Sequence, residues 1–480
     1  MLLLPRTRKD RVLLVVFLAL VALIVHSGAS GGLPQPAAIT LTIFLGAIYL
    51  WIATPLDDSY VALGASLALV VTGVLREEDF TKTLGTNLIW LLIGAFVVAA
   101  AINATGLMTK FAAWAVVRAH TPRQLVHLLT AALLISTFAI PAPSGRAALA
   151  LPVFVSLAAM LSERRRLVVC LALLFPTVIL FSAIGSLLGA GAHLVTNEIL
   201  AESSYESFSF VEWLVLGLPL AIVWSHLAAE AILRMFTDPE DRRTRLSVPA
   251  SAWPSEGPES PSTPLTGPQW RVLLVIGAVI VGWLTEPLHH IDPAVVALVG
   301  ALIAVTPGIG TTSWAKALKT VPWSLLIFMA ATLALATAIS RSGAAQWLQS
   351  AITSAKGLGD WAGTAFVIIV IVGSLAAHLV VQSRSARSAM LIPIIVASAP
   401  ALGINPVAAA FISTAAAGFC VTMTSSAKPI ALFAGVEGVP TFTSQDLLRL
   451  SATLAPVSAI LLAVFTYLIW PALGLRLHLQ

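Results

Sequence analysis

Apolar runs long enough to cross a bilayer recur from one end of the chain to the other. Each of them admits only a helix, because hydrocarbon offers a backbone amide no partner outside its own segment. Windows of about twenty apolar residues place spans near 12–27, 37–55, 59–75, 88–105, 167–190, 211–234, 270–286, 293–306, 322–340, 405–423 and 449–473. Across the 480 residues 58% are hydrophobic and 10% charged, against roughly a quarter charged in soluble chains. This excludes a cytosolic enzyme and a nucleic-acid binder. Cys170 and Cys420, the two cysteines, both sit in apolar stretches, which excludes a disulfide scaffold. The expected fold class is an all-α polytopic membrane protein.

Loop charge gives the orientation. Arg6, Arg8, Lys9 and Arg11 precede the first apolar run, which reads as a retained span, although the Ser-Gly-Ala-Ser-Gly-Gly stretch after it is also compatible with cleavage. With the N-terminus cytoplasmic, the inside segments hold Lys110, Arg118 and Arg123, Arg164 to Arg166, Arg242, Arg243 and Arg245, and Lys316 with Lys319. Outside segments carry Glu77, Glu78 and Asp79 beside Arg76 and Lys82, and Glu198, Glu202 and Glu206. The net charge of +5 is therefore an orientation signal of a multi-pass protein in the cell inner (plasma) membrane. Asp238 to Pro268 is rich in Pro, Ser, Thr and Glu without periodicity, and reads as a disordered cytoplasmic linker between two halves.

Two apolar stretches, 124–160 and 361–399, are interrupted in mid-course by Pro141-Ala-Pro-Ser-Gly-Arg146 and Gln382-Ser-Arg-Ser-Ala-Arg387. They read as re-entrant helical hairpins, whose irregular tips are tolerated only where protein or water surrounds them. The halves repeat: Ser144-Gly-Arg146-Ala-Ala148-Leu-Ala-Leu-Pro152 returns as Ser385-Ala-Arg387-Ser-Ala389-Met-Leu-Ile-Pro393. Each hairpin is followed by a span broken by small and polar residues, Gly185 to His193 and Thr422 to Pro429, with His193 and Lys428 in the same position of the repeat. An odd number of elements per half sets the copies in opposite orientations, the inverted repeat of secondary transporters. The expected division is scaffold helices in 1–123 and 269–358, a transport part in 124–235 and 359–480, and the linker in 236–268.

At these residues the sequence resembles the divalent anion:sodium symporter family over nearly its whole length. The family's Ser-Asn-Thr signature, ten residues before a proline, falls on Ala142-Pro143-Ser144 and Ser383-Arg384-Ser385, and its Thr-Pro-Pro-Asn segment on Ala190 to His193 and Ser425 to Lys428. The resemblance implies a homodimeric elevator transporter with a scaffold and a mobile domain. It also implies that signature residues bind substrate, and that the Asn and nearby carbonyls bind sodium. Here Pro143 and Arg384 stand where the Asn residues would be, so the coupling ion is the part least carried over.

Arg146, Arg384, Arg387 and Lys428 all fall at membrane depth with no Asp or Glu in the same four motifs, and a cation there needs an anion. The candidate substrate-binding set is Ser144, Gly145, Arg146, Ser383, Arg384, Ser385, Arg387, Ser425, Ser426 and Lys428, with His193 as a proton-linked or anion-binding candidate. The bland alternative is that the bases snorkel or neutralise carbonyl ends of half-helices, and that the serines cap. His378 and Gln382 before the second tip are weaker candidates, and His226 with Glu230 read as a local structural pair. No metal or cofactor constellation is expected. The expected function is alternating-access transport of a small multivalent anion, a di- or tricarboxylate or a sulfate-like oxyanion, by sodium-independent exchange or linked to protons. The alternatives are a sodium symporter, or a membrane enzyme or sensor that binds a phosphate-bearing lipid.

Overall fold

The computed structural model describes residues 8–246, 263–354 and 361–479. Residues 247–262, about half of the expected linker, lie outside the described residues, and the part before them holds a short helix, Pro239–Arg243, instead of irregular chain. The first half contains α1 (Arg8–Ala29), α2 (Gln35–Ala53), α3 (Asp58–Val71), α4 (Glu77–Lys82) and α5 (Asn87–Asn103). It continues through α6 (Leu107–Val117), α7 (Pro122–Ala139), α8 (Pro143–Met160), α9 (Arg165–Ser182), α10 (Gly191–Glu202), α11 (Phe210–Phe236) and α12 (Pro239–Arg243). The second half contains α13 (Gly267–Leu284), α14 (Glu286–His289), α15 (Pro293–Val305), α16 (Trp314–Thr320), α17 (Trp323–Arg341) and α18 (Ala344–Ser354). After these come α19 (Ala362–Ala376), α20 (Arg384–Ser398), α21 (Pro406–Ala416), α22 (Lys428–Ala434), α23 (Ser444–Val464) and α24 (Trp470–Ala472). Among the described residues eleven helices are long and apolar enough to cross a membrane. The chain is an all-α, multi-pass membrane protein.

The halves are locked by reciprocal exchange: α3 of the first packs on α17 of the second, and α15 of the second on α5 of the first. Ser66 on α3 donates to the Ala331 carbonyl of α17 at 2.8 Å. Gly94 on α5 lets α15 approach so closely that a Cβ there would lie 2.8 Å from the Ala297 carbonyl carbon. The caps repeat too. Asp57 Oδ1 accepts from Ser59 N at the start of α3 and from Ser324 Oγ on α17 at 3.3 Å. Asp292 Oδ1 accepts from Ala294 N at the start of α15, while its Oδ2 accepts from Asn87 on α5 at 2.5 Å.

The structure redraws three features of the sequence reading. The interruptions at 141–146 and 382–387 are shorter than expected. Helix resumes at Pro143 and at Arg384, because proline at the first helical position costs no hydrogen bond and Ser383 accepts from Ala386 N as an N-cap. Ser144, Gly145 and Arg146 therefore belong to the first turn of α8, and Arg384, Ser385 and Arg387 to that of α20. The two arms of each hairpin share neighbours: α7 and α8 both pack on α6 and α9, and α19 and α20 both pack on α21. The break expected at Gly185 to His193 begins earlier, since α9 ends at Ser182 and helix α10 restarts at Gly191. Gly189 permits that break, since a Cβ there would meet the Ala183 carbonyl oxygen at 2.0 Å.

The register of the repeat also shifts. Ala190 before α10 has φ −157° and ψ 148°, and Ala427 before α22 has φ −158° and ψ 147°. Gly191, not His193, is thus the counterpart of Lys428.

Candidate functional site

The arginine of the first hairpin is held by its surroundings through both terminal nitrogens. Arg146, 1% exposed, donates through Nη1 to Thr137 Oγ1 and to Ser182 Oγ (2.9 Å), and through Nη2 to the Ile179 carbonyl (2.7 Å). Ile179 lies in the last turn of α9, where carbonyls lack intrahelical partners and the helix dipole is negative. A fixed guanidinium satisfies both.

The second hairpin places two arginines differently. Arg384 Nη2 lies 3.4 Å from the Thr414 carbonyl in the last turn of α21 and 3.1 Å from where a Cβ on Gly418 would sit. Arg387, the repeat counterpart of Arg146, is 0% exposed and donates through Nη2 to Cys420 Sγ at 2.8 Å, a weak acceptor. Nε of Arg146, and both Nε and Nη1 of Arg384 and of Arg387, are buried without a partner. Arg146 lies in the field of Arg384, and Arg384 in that of Arg387. Among the described residues no carboxylate forms an ion pair with any of the three. The five unpartnered nitrogens in one cationic neighbourhood are charged donors of the kind that carboxylate or sulfate oxygens satisfy.

His193 belongs to the same neighbourhood, in the field of Arg384 and Arg146. Its ring stacks on Trp213 with centroids 4.8 Å apart, Nδ1 lies 2.9 Å from the Ser186 carbonyl, and Nε2 has no partner. Ser385 reaches it from α20: a Cβ on Gly191 would lie 2.9 Å from Ser385 Oγ, so the starts of α10 and α20 abut. Ser426 is buried and its Oγ accepts from Met423 N at 2.9 Å, closing the turn before α22. Ser144, Ser425 and Lys428 are exposed, and Gly145 is half-buried in the first turn of α8. His378 ties the second tip to the break: Nδ1 faces the Leu375 carbonyl at 2.6 Å, Nε2 faces Thr422 Oγ1 at 2.7 Å, and Thr422 continues to Ser451. Gln382 is exposed. His226 and Glu230 do not bond each other directly. His127 bridges them, at 2.9 Å and 3.2 Å, and Arg123 and Arg234 hold the carboxylate.

Several partners escaped the sequence reading. Thr137, Ser182, Thr414 and Trp213 are ordinary span residues that carry no signal of their own. Asp58 did carry one. It is an acid beside Asp57 at the head of a span, and its carboxylate lies against the Ser383 hydroxyl in the field of Lys428.

A family described as "Sodium:sulfate symporter transmembrane region" matches residues 8–476. The chain is 24% identical to a "Membrane protein" of Cupriavidus necator, covering 92% of this chain and 90% of that one. It is 23% identical to the "Sodium-dependent dicarboxylate transporter SdcS" of Staphylococcus saprophyticus, covering 90% and 87%. Among solved structures, the YdaH transporter of Alcanivorax borkumensis aligns with 92% of this chain and 99% of its own at TM-score 0.49 and 14% identity.

Proposed function

Given that this chain belongs to the sodium:sulfate symporter family of membrane transporters, we propose that it carries a small multivalent anion by alternating access. The substrate class is a di- or tricarboxylate or a sulfate-like oxyanion, and the mode is sodium-independent exchange, with a proton-linked cycle as the variant reading. The observation that carries this reading is the neighbourhood of Arg146, Arg384 and Arg387 with five unpartnered nitrogens and no ion-paired carboxylate.

The three arginines divide the work. Arg387 and Arg384 keep free Nε and Nη1 groups and fork onto the anion, a geometry suited to carboxylate or sulfate oxygens. Arg146 and the Nη2 of Arg384 occupy carbonyls at the C-terminal ends of α9 and α21. In secondary transporters the C-terminal ends of half-helices and unwound carbonyls coordinate the coupling cation, and a guanidinium bonded to such oxygens repels a second cation. Ser383, Ser385, Ser144, Ser425, Ser426, Gly145 and Lys428, at or near the starts of α20, α8 and α22, complete the proposed substrate region, with His193 beside it.

The hairpins and broken spans, 124–235 and 359–480, form the mobile part, and 1–123 with 269–358 the scaffold. The working form is a homodimer in the inner membrane with the N-terminus cytoplasmic.

Reconstituted protein tests the reading. Uptake of labelled succinate, citrate or sulfate should fall to background in Arg387→Gln. Unchanged uptake by that variant removes the central assignment.

A further inference from the structure

Asp57 and Asp58 are adjacent acids at the head of α3, and only the first is accounted for by the fold. Asp57 caps the helix and reaches Ser324, as Asp292 caps α15 and reaches Asn87 in the other half. The repeat counterpart of Asp58 is Pro293, which carries no charge. Capping and cross-half packing therefore need no acid at position 58.

What surrounds Asp58 is the proposed substrate region. Its half-buried carboxylate lies against the Ser383 hydroxyl, the N-cap of α20, and in the field of Lys428 at the start of α22; the other charged group facing it is Asp57. Independent contacts fix the same neighbourhood. Gly191, at the start of α10, would bring a Cβ within 2.9 Å of both Ser385 Oγ on α20 and Leu325 Cδ1 on α17. Leu325 is next to Ser324, whose hydroxyl lies 3.1 Å from Ser59 Oγ on α3. The starts of α3, α10, α17 and α20 thus converge, with one carboxylate from the fixed side placed where the moving side offers a hydroxyl and an ammonium.

We propose that Asp58 is a coupling latch: a carboxylate of the scaffold that holds the Ser383 hydroxyl, in the field of Lys428, while the carrier is empty and is displaced when a substrate oxyanion takes that donor. This rests on the transport reading above. An unloaded mobile part stays tied to α3, and a loaded one is released, so the carrier crosses only with an anion aboard. Exchange then follows from competition between Asp58 and the substrate oxyanion for the same donor, without any coupling ion. A ligand shifts a two-state equilibrium only by its differential affinity, and displacement of Asp58 supplies that difference.

The test uses the full chain in proteoliposomes loaded, in parallel, with labelled succinate, citrate and sulfate. Wild type should release label only when unlabelled anion is outside. Asp58→Asn should keep counterflow within about twofold and raise efflux into anion-free medium about tenfold, the scale of one charge-assisted hydrogen bond. Asp58→Glu, which keeps the charge, should retain wild-type coupling, and a loss of counterflow in both variants would make Asp58 structural and overturn the latch. Efflux into anion-free medium that Asp58→Asn leaves unchanged also overturns it, with the transport reading intact. Wild type that moves none of the three anions overturns the transport reading itself.

Discussion

Arg146 and Arg387 start from equivalent turns of the repeat, and their replacement by methionine should move stability in opposite directions. Arg387 is fully buried, with one weak sulfur partner and two unpartnered nitrogens. Replacing even paired buried charges by apolar side chains of similar volume is neutral or stabilises by up to about 4 kcal/mol, and Arg387 has no ion-pair partner among the described residues, so Arg387→Met without anion should melt higher than wild type. Arg146 donates three bonds to Thr137, Ser182 and Ile179. Bonds from a charged donor contribute about 1.5–3 kcal/mol each before the desolvation of the charge is recovered, so Arg146→Met should lose about 2 kcal/mol or more. Saturating anion adds the second contrast. At a hundred times Kd it stabilises wild type by about 2.7 kcal/mol, and in Arg387→Met this increment should vanish. The assay is tryptophan-fluorescence melting of purified protein in detergent, with and without citrate, succinate and sulfate. Equal destabilisation by both variants, or an anion increment that survives in Arg387→Met, refutes the division of roles.

Other consequences are as direct. Replacing sodium by choline should leave anion counterflow unchanged, and a steep, saturable sodium dependence would show that Arg146 and Arg384 leave a cation site open. Gly217→Ala should destabilise strongly, because its Cβ would lie 2.1 Å from the Ile184 carbonyl oxygen that Trp213 also holds, so α11 must withdraw from the break; a melting point equal to wild type contradicts that packing. Ser66→Ala should cost about 1 kcal/mol by removing the bond to Ala331 that ties α3 to α17, readable as a lower melting midpoint.

The helices were legible because hydrophobic run length is a one-dimensional signal, and the repeat was legible because Ser144 to Pro152 and Ser385 to Pro393 keep residue identity. Boundaries near the site were not. The break after the first hairpin reads from the small residues at Gly185 to His193, but its onset at Ser182 does not, because the chain leaves the helix there for a tertiary reason, the seating of Ile184 and Gly185 against α11. The same weakness misplaced His193, since two small-residue segments of unequal composition align by letters at one register and by backbone conformation at another. The arginines could be named from sequence, but their roles could not. Which guanidinium is satisfied depends on Thr137 and Ser182, ordinary residues of other helices. Asp58 stands out as an acid at the head of a span, but its surroundings were hidden because Ser383 and Lys428 lie in the opposite half.

Counterflow in proteoliposomes loaded with succinate, citrate or sulfate, in sodium-free medium at equal internal and external pH, addresses the central claim most directly. The account predicts that at least one of these labelled anions accumulates against internal unlabelled anion without sodium. Accumulation that requires sodium, or none with any of the three, contradicts it.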